Sequence, residues 1–191
     1  MPNYLDELLG RFKTIAEGGD VPRPIARYTT YAISNFRGGI GKSTVAFNLA
    51  WELSRKKRAL LLDLCPQCNF TQSLLGPDAD QSPYSIYDAI LPGIMAGTPK
   101  IPFDDLISSV PPSCPSFKGG AGAYVVPGSK ELFLFPSLLY TQLNAASNLG
   151  SRREETSRNI LQSVESLAAT LRAHTKSEKT LIDTSPFFGG A

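Results

Sequence analysis

The sequence predicts an α/β domain with a mainly parallel sheet and helices on both faces. Strand-like runs at residues 28–34, 59–63, 123–126 and 179–183 alternate with segments whose apolar residues recur at helical spacing. The run Ala59-Leu60-Leu61-Leu62 is unbroken, as expected of a strand buried on both faces. A glycine-rich stretch, Gly38-Gly39-Ile40-Gly41-Lys42-Ser43-Thr44, joins the first strand to the next helix. That placement aims a helix N-terminus at an anion.

Each element has its own signal. Residues 4–16 put Leu5, Leu8, Leu9, Phe12 and Ile15 on one helical face. Gly18-Gly19 ends that helix, and Val21-Pro22-Arg23-Pro24 makes a stiff link. Residues 1–27 therefore read as an N-terminal helix and linker before a domain over 28–191. Asp6, Glu7, Arg11 and Lys13 decorate the helix with both signs of charge, so packing on its own domain is expected, not a membrane or partner surface. The helix after the glycine-rich stretch runs to about Arg55, where the basic run Arg55-Lys56-Lys57-Arg58 suits a helix C-terminus. Residues 77–122 are rich in Pro, Gly and Ser, with short helices expected near 85–90 and 104–108. A helix is expected at 137–147. A longer one, 154–173, carries Ile160, Val164, Leu167, Ala168 and Leu171 at core spacing.

Bulk properties narrow the classes. A chain of 191 residues suits one domain with a short appendage. A formal net charge of +2 is too small to argue for nucleic acid. Three cysteines, no signal-peptide pattern and no long apolar span point to a reducing cytoplasm and no membrane segment.

The chemistry gathers where strands end, which is where ligands sit in such sheets. Gly38, Gly39 and Gly41 let backbone N–H groups turn toward one anion with no Cβ in the way. Lys42 supplies a charge for the β- and γ-phosphates, Ser43 a hydroxyl for Mg²⁺, and Ile40 and Thr44 complete the loop. Asp183 ends an apolar strand and could hold a water of the Mg²⁺ shell; Asp63 ends another. In isolation either aspartate would read as a turn or cap; beside a phosphate loop the functional reading is favoured. Gln67 and Asn69 are expected to shape the loop near the phosphates. Cys65 and Cys68 form a C-x-x-C; with only Cys114 and the lone His174 elsewhere, two plain loop cysteines are expected over a metal site. His174 reads as a solvated helix-end residue, and Arg152, Arg153 and Arg158 as a solvated helix start.

Taken together, Arg37–Thr44, Asp63-Leu64-Cys65-Pro66-Gln67-Cys68-Asn69 and Leu181-Ile182-Asp183-Thr184-Ser185-Pro186 resemble the ParA/MinD family of deviant Walker P-loop ATPases, most of all its Soj-like partition branch. Val126-Pro127-Gly128-Ser129 is also similar to the family's third-strand region. The resemblance covers about residues 28–190. It implies a P-loop ATPase that binds ATP and Mg²⁺ and closes as a homodimer around nucleotide. It further implies a ParB-type partner that stimulates hydrolysis, non-specific DNA as a possible track, and plasmid or chromosome partition as the outcome. Arg37 stands at the family's signature lysine, which reaches the phosphates of the other subunit, and joins Lys42 and Asp63 as an expected catalytic residue.

Three departures qualify these expectations. Phe36 occupies the first glycine position of the common P-loop pattern, and Arg37 replaces a lysine with a larger, forked cation. Cys65 replaces the second acidic residue, which the family uses to position the attacking water. A neutral thiol is a poor acceptor, so nucleotide binding with slow hydrolysis, or hydrolysis leaning on Asp63, is expected. An ATP-gated scaffold with little turnover, or a cargo-positioning relative of the superfamily, are the alternatives. Lastly, family members continue through several more strands after the position of Asp183. The expectation here is a truncated fold with its first strand on a sheet edge.

Overall fold

The structure is a computed structural model that describes Gly10, Lys13, Thr14 and residues 16–19, 28–35, 37–95 and 100–184. Most of the expected N-terminal helix, the linker and Phe36 lie outside the described residues.

The described elements run β1 (Thr30–Ile33), α1 (Lys42–Lys56), β2 (Ala59–Leu64), α2 (Asn69–Leu75), α3 (Ile86–Ile94), α4 (Phe103–Leu106), β3 (Ser108–Ser109), α5 (Val110–Ser113), β4 (Ala123–Val126), α6 (Phe135–Ser147), α7 (Arg153–Leu161), α8 (Ser163–His174) and β5 (Lys179–Thr184). The sheet order is β1-β5-β2-β4-β3. The pairs β1–β5, β5–β2 and β2–β4 are parallel, and only the two-residue β3 runs antiparallel, against β4. The expected α/β class and mainly parallel sheet are both found. Among the described residues β1 pairs with β5 alone and forms one edge, with alternate residues exposed.

Period-two alternation divides the core cleanly. Leu60, Leu62, Val126 and Ile182 face α3, α6, α7 and α8 through Ile86, Ile90, Phe135, Ile160 and Leu171. Ala59, Leu61, Ala123, Val125 and Leu181 face α1 and α2 through Ala46, Ala50, Phe70 and Leu74. All six residues of β2 are buried, as its unbroken apolar run requires. Helices therefore cover both faces.

Several elements differ from expectation. The expected helix over 154–173 is two helices, α7 and α8, meeting at Gln162. At that junction α3 crosses closely: a Cβ on Gly93 would lie 2.9 Å from the Cβ of Ser163. A side-chain period cannot reveal such a break, because the core spacing continues through it. Helix α3 runs past Pro92 to Ile94; its start is fixed by a capping box in which Ser85 and Asp88 exchange bonds. His174 is not simply solvated. Its Nε2 lies 2.9 Å from Asp104 Oδ1, and its ring stands edge-on to Phe103 at 5.4 Å, tying α8 to α4. Helix α2 was not expected at all, and it proves central to the site.

Leu61 is fully buried in the central strand against α1 and α2. Leu61→Ala is expected to cost about 2–5 kcal/mol of stability, read as a lower denaturant midpoint at unchanged m-value.

Candidate functional site

The site grows from the end of β1. Asn35 Oδ1 accepts the Arg37 N–H at 3.0 Å, starting the turn. Gly39 and Gly41 adopt φ of 71° and 84°, the left-handed region that glycine enters without penalty. Gly41 is the N-cap of α1, whose first turn holds no acidic residue and no capping side chain. The leading N–H groups of a 15-residue helix, and the positive end of its dipole, are thus left to an external anion. Lys42 Nζ reaches back across the loop to donate to the Arg37 carbonyl at 3.3 Å.

Strand β5 lies between β1 and β2 and brings Asp183 to the same end of the sheet. Ser43 donates its hydroxyl to Asp183 Oδ2 at 2.6 Å. Asp183 is fully buried, and its Oδ1 has no hydrogen-bond partner among the described residues. Burial raises its pKa, against the opposing pull of the Ser43 hydrogen bond, the Lys42 charge and the neighbouring Thr184 amide. A buried, half-satisfied carboxylate next to a hydroxyl is what a hard cation would complete, since Mg²⁺ takes oxygen ligands. The residues present therefore fit Mg²⁺.

A cleft of about 500 Å³ opens over the loop, lined by Gly38, Gly39, Gly41, Lys42, Ser43 and Thr44 on one side. Cys65, Gln67, Asn69, Gln72 and Ser73 form the other side. The fold thus brings most of the expected site residues together, including Gln67 and Asn69. Ile40, 47 % exposed, does not line the cleft, and neither do the exposed Arg37 and the fully buried Asp183, which stands behind Ser43. Gln72 and Ser73 escaped sequence reasoning because α2 did. The spacing of Phe70 and Leu74 was the available signal, too short a pattern to separate helix from loop.

Asp63, expected to act on water, is placed otherwise. It is fully buried and does not line the cleft. Its Oδ2 accepts from Thr71 N at 2.9 Å and from Thr71 Oγ1 at 2.7 Å, and its Oδ1 accepts from Cys65 N at 3.0 Å. These donors occupy both oxygens, so the carboxylate braces the cleft wall. Burial nevertheless raises its pKa to about 6, with Thr71 and Cys65 opposing.

Cys65 is buried in the cleft wall, and burial raises its pKa, so it is a neutral thiol at neutral pH. Cys68 sits at φ 54° as the N-cap of α2, its thiol pushed up to about 12 by burial and by the Asp63 charge. Both are free thiols. Among the described residues no three His, Cys, Asp or Glu side chains gather as a metal cluster, and no helix is long and apolar enough to cross a membrane.

Comparison with known proteins agrees with this geometry. Residues 28–114 match the sequence family described as an AAA domain. The chromosome partitioning protein ParA of Myxococcus xanthus is 48% identical over 60 residues, which cover 31% of this chain and 21% of that protein. The chromosome-partitioning ATPase Soj of Thermus thermophilus is 45% identical over 62 residues, covering 32% and 24%. The resemblance to ParA/Soj-type P-loop ATPases holds. Among solved structures, a protein from Corynebacterium diphtheriae superposes with a TM-score of 0.64 at 23% identity, covering 85% of this chain and 53% of its own. A plasmid partition protein from Borrelia burgdorferi gives 0.55 at 20% identity, covering 84% and 57%. A third, the cobyrinic acid a,c-diamide synthase of Mycobacterium smegmatis with bound ADP and magnesium, gives 0.54 at 22%, covering 82% and 51%. At these identities the structures speak for the fold, which is ParA-like. The matched stretch spans about a quarter of the curated relatives' length, and the superposed chain about half of the solved ones.

The Asp63 carboxyl gives a pH signature. Its folded pKa lies above the ordinary value of 3.8, so folding favours the protonated form. The associated stability is full below pH 4 and is lost as pH rises through about 6, a decline of roughly 2–3 kcal/mol. Chemical denaturation of wild type and Asp63→Asn across pH 4–7 checks this: the wild-type stability falls more over that range than that of the variant. Asp183, raised in the same direction, contributes to both.

Proposed function

We propose that the chain binds Mg-ATP in this cleft and acts as a ParA-like ATPase, a nucleotide-dependent homodimer switch in plasmid or chromosome partition in the cytoplasm. The observation that carries the reading is the Ser43–Asp183 bond with the unpaired Asp183 Oδ1 beside it, at the open N-terminus of α1. The loop amides from Gly38 to Thr44 cradle the phosphates, and Lys42 swings from the Arg37 carbonyl to the β- and γ-oxygens. Ser43 and Asp183 hold Mg²⁺, which neutralises charge on the phosphates when bound. Arg37 is exposed outside its own cleft, which supports a role across a dimer; a ParB-type partner and non-specific DNA complete the reading. The chromosome-partitioning relatives and the ADP–magnesium complex of a fold neighbour support it from outside.

The chemistry of the cleft wall favours a second reading for the rate. With a neutral Cys65 thiol where the family has a carboxylate, and with both Asp63 oxygens engaged, no free carboxylate of β2 faces the cleft. The protein then serves as an ATP-gated scaffold with slow turnover.

Two measurements test these readings. Mg-ATP at about 100 times its Kd is expected to stabilise the fold by about 2.7 kcal/mol. Lys42→Ala is expected to abolish that shift, and Asp183→Asn to remove its dependence on Mg²⁺. No nucleotide-dependent rise in Tm would sink the binding reading. Phosphate release is expected to be slow in the wild type and faster in Cys65→Asp. A wild-type rate equal to or above the variant's overturns the scaffold reading.

A further inference from the structure

We propose that Thr71 is a positioning residue for the phosphate cleft, a proposal that rests on that cleft's being the nucleotide site. Its hydroxyl is clasped between Asp63 and the Gly128 amide, and this clasp holds the wall formed by residues 65–69 against the phosphate loop.

Thr71 does not line the cleft, yet it sits between two residues that frame it, Asn69 and Gln72. It is 2% exposed, in the first turn of α2. Its hydroxyl uses both its functions: it donates to Asp63 Oδ2 at 2.7 Å and accepts from Gly128 N at 2.9 Å. Asp63 in turn accepts from the Thr71 and Cys65 amides. An unbroken chain of hydrogen bonds therefore leads from the Cys65 amide in the cleft wall, through the carboxylate and the hydroxyl, to the end of β4. The chain is boxed on its far side. A Cβ added to Gly128 would stand 3.0 Å from Asp63 Cγ and 3.1 Å from Oδ2, so glycine is what lets the β4 end close on the carboxylate.

The two ends of the chain differ in stiffness. Strands β2 and β4 pair in parallel register and lie in both core layers, whereas Gln67 and Asn69 are exposed and Cys68 is half-buried. Removing the hydroxyl strands the Gly128 N–H and takes a donor from a buried carboxylate, a cost that local movement can relieve. The less buried side of the joint is the stretch Gln67–Asn69, which follows the buried Cys65 and lines the cleft, so the movement falls on the cleft. Cys65 reports it directly, because the residue is only 3% exposed and loosening of the wall uncovers it.

The test uses the full chain carrying Cys68→Ser and Cys114→Ser, so that Cys65 is the one thiol. Maleimide labelling of Cys65 without nucleotide and the Kd for Mg-ATP are measured for the parent, Thr71→Val, Thr71→Ser and Gly128→Ala. Thr71→Val and Gly128→Ala are expected to label at least tenfold faster and to bind Mg-ATP at least tenfold more weakly, with Thr71→Ser within twofold of the parent in both. A role confined to stability would lower Tm and leave both readouts unchanged below the transition. Unchanged labelling in folded Thr71→Val overturns the proposal, as does faster labelling with unchanged affinity, or a serine that fails to rescue. Failure of both Thr71→Val and Gly128→Ala to fold overturns positioning in favour of a purely structural role. If the parent binds no Mg-ATP, the nucleotide reading fails by itself, and the labelling rates still decide the joint.

Discussion

Two aspartates stand side by side at the carboxyl ends of neighbouring strands, Asp63 on β2 against Asp183 on β5, both fully buried. Burying one carboxylate is costly unless hydrogen bonds compensate it, and burying two in register compounds the cost. The local structure answers that demand twice, in different ways. Asp63 draws donors from Cys65 and Thr71, which fastens the start of α2 to the sheet. Asp183 draws the Ser43 hydroxyl, which fastens the start of α1, and keeps one oxygen spare. Both helix starts that border the cleft are thereby pinned to the same sheet edge.

The difference between the two carboxylates divides their labour. The one whose oxygens are both engaged braces; the one with an unpaired oxygen retains capacity for a cation. Residue type alone would treat them alike, and the spacing of an acidic pair invites that. What separates them is the direction from which donors arrive, and that depends on α2, whose seven residues fold back over the end of β2. The thiol of Cys65 sits in the same wall as a neutral group, so the cleft sets the Lys42 and Ser43 side chains against a chemically quiet wall.

Much of the fold was legible because the sequence repeats its message at several levels. The four main strands have strand-like runs, the glycine-rich loop sits between one of them and a helix, and the alternation implies parallel pairing. Strand β4 lies where its short run Ala123–Val126 put it. Boundaries set by contacts distant in the chain were not legible. The division of α7 from α8 at Gln162, beside the contact of Gly93 with Ser163, leaves the core period undisturbed. His174 gave no sign of Asp104, 70 residues away, or of Phe103 beside it.

By itself the sequence determined the chemistry available at the strand ends: a glycine-rich loop, Lys42, Ser43 and two aspartates, in an order that forces them to one edge of a parallel sheet. Those properties are local, and turn geometry with strand polarity suffices to derive them. Only the tertiary structure decided which aspartate faces Ser43, that Arg37 and Ile40 stay outside the cleft, and that Thr71 joins the cleft wall to Gly128, 57 residues away. Hydrogen-bond partners for buried charges are chosen by packing in three dimensions, and a linear pattern of residues carries no record of that choice.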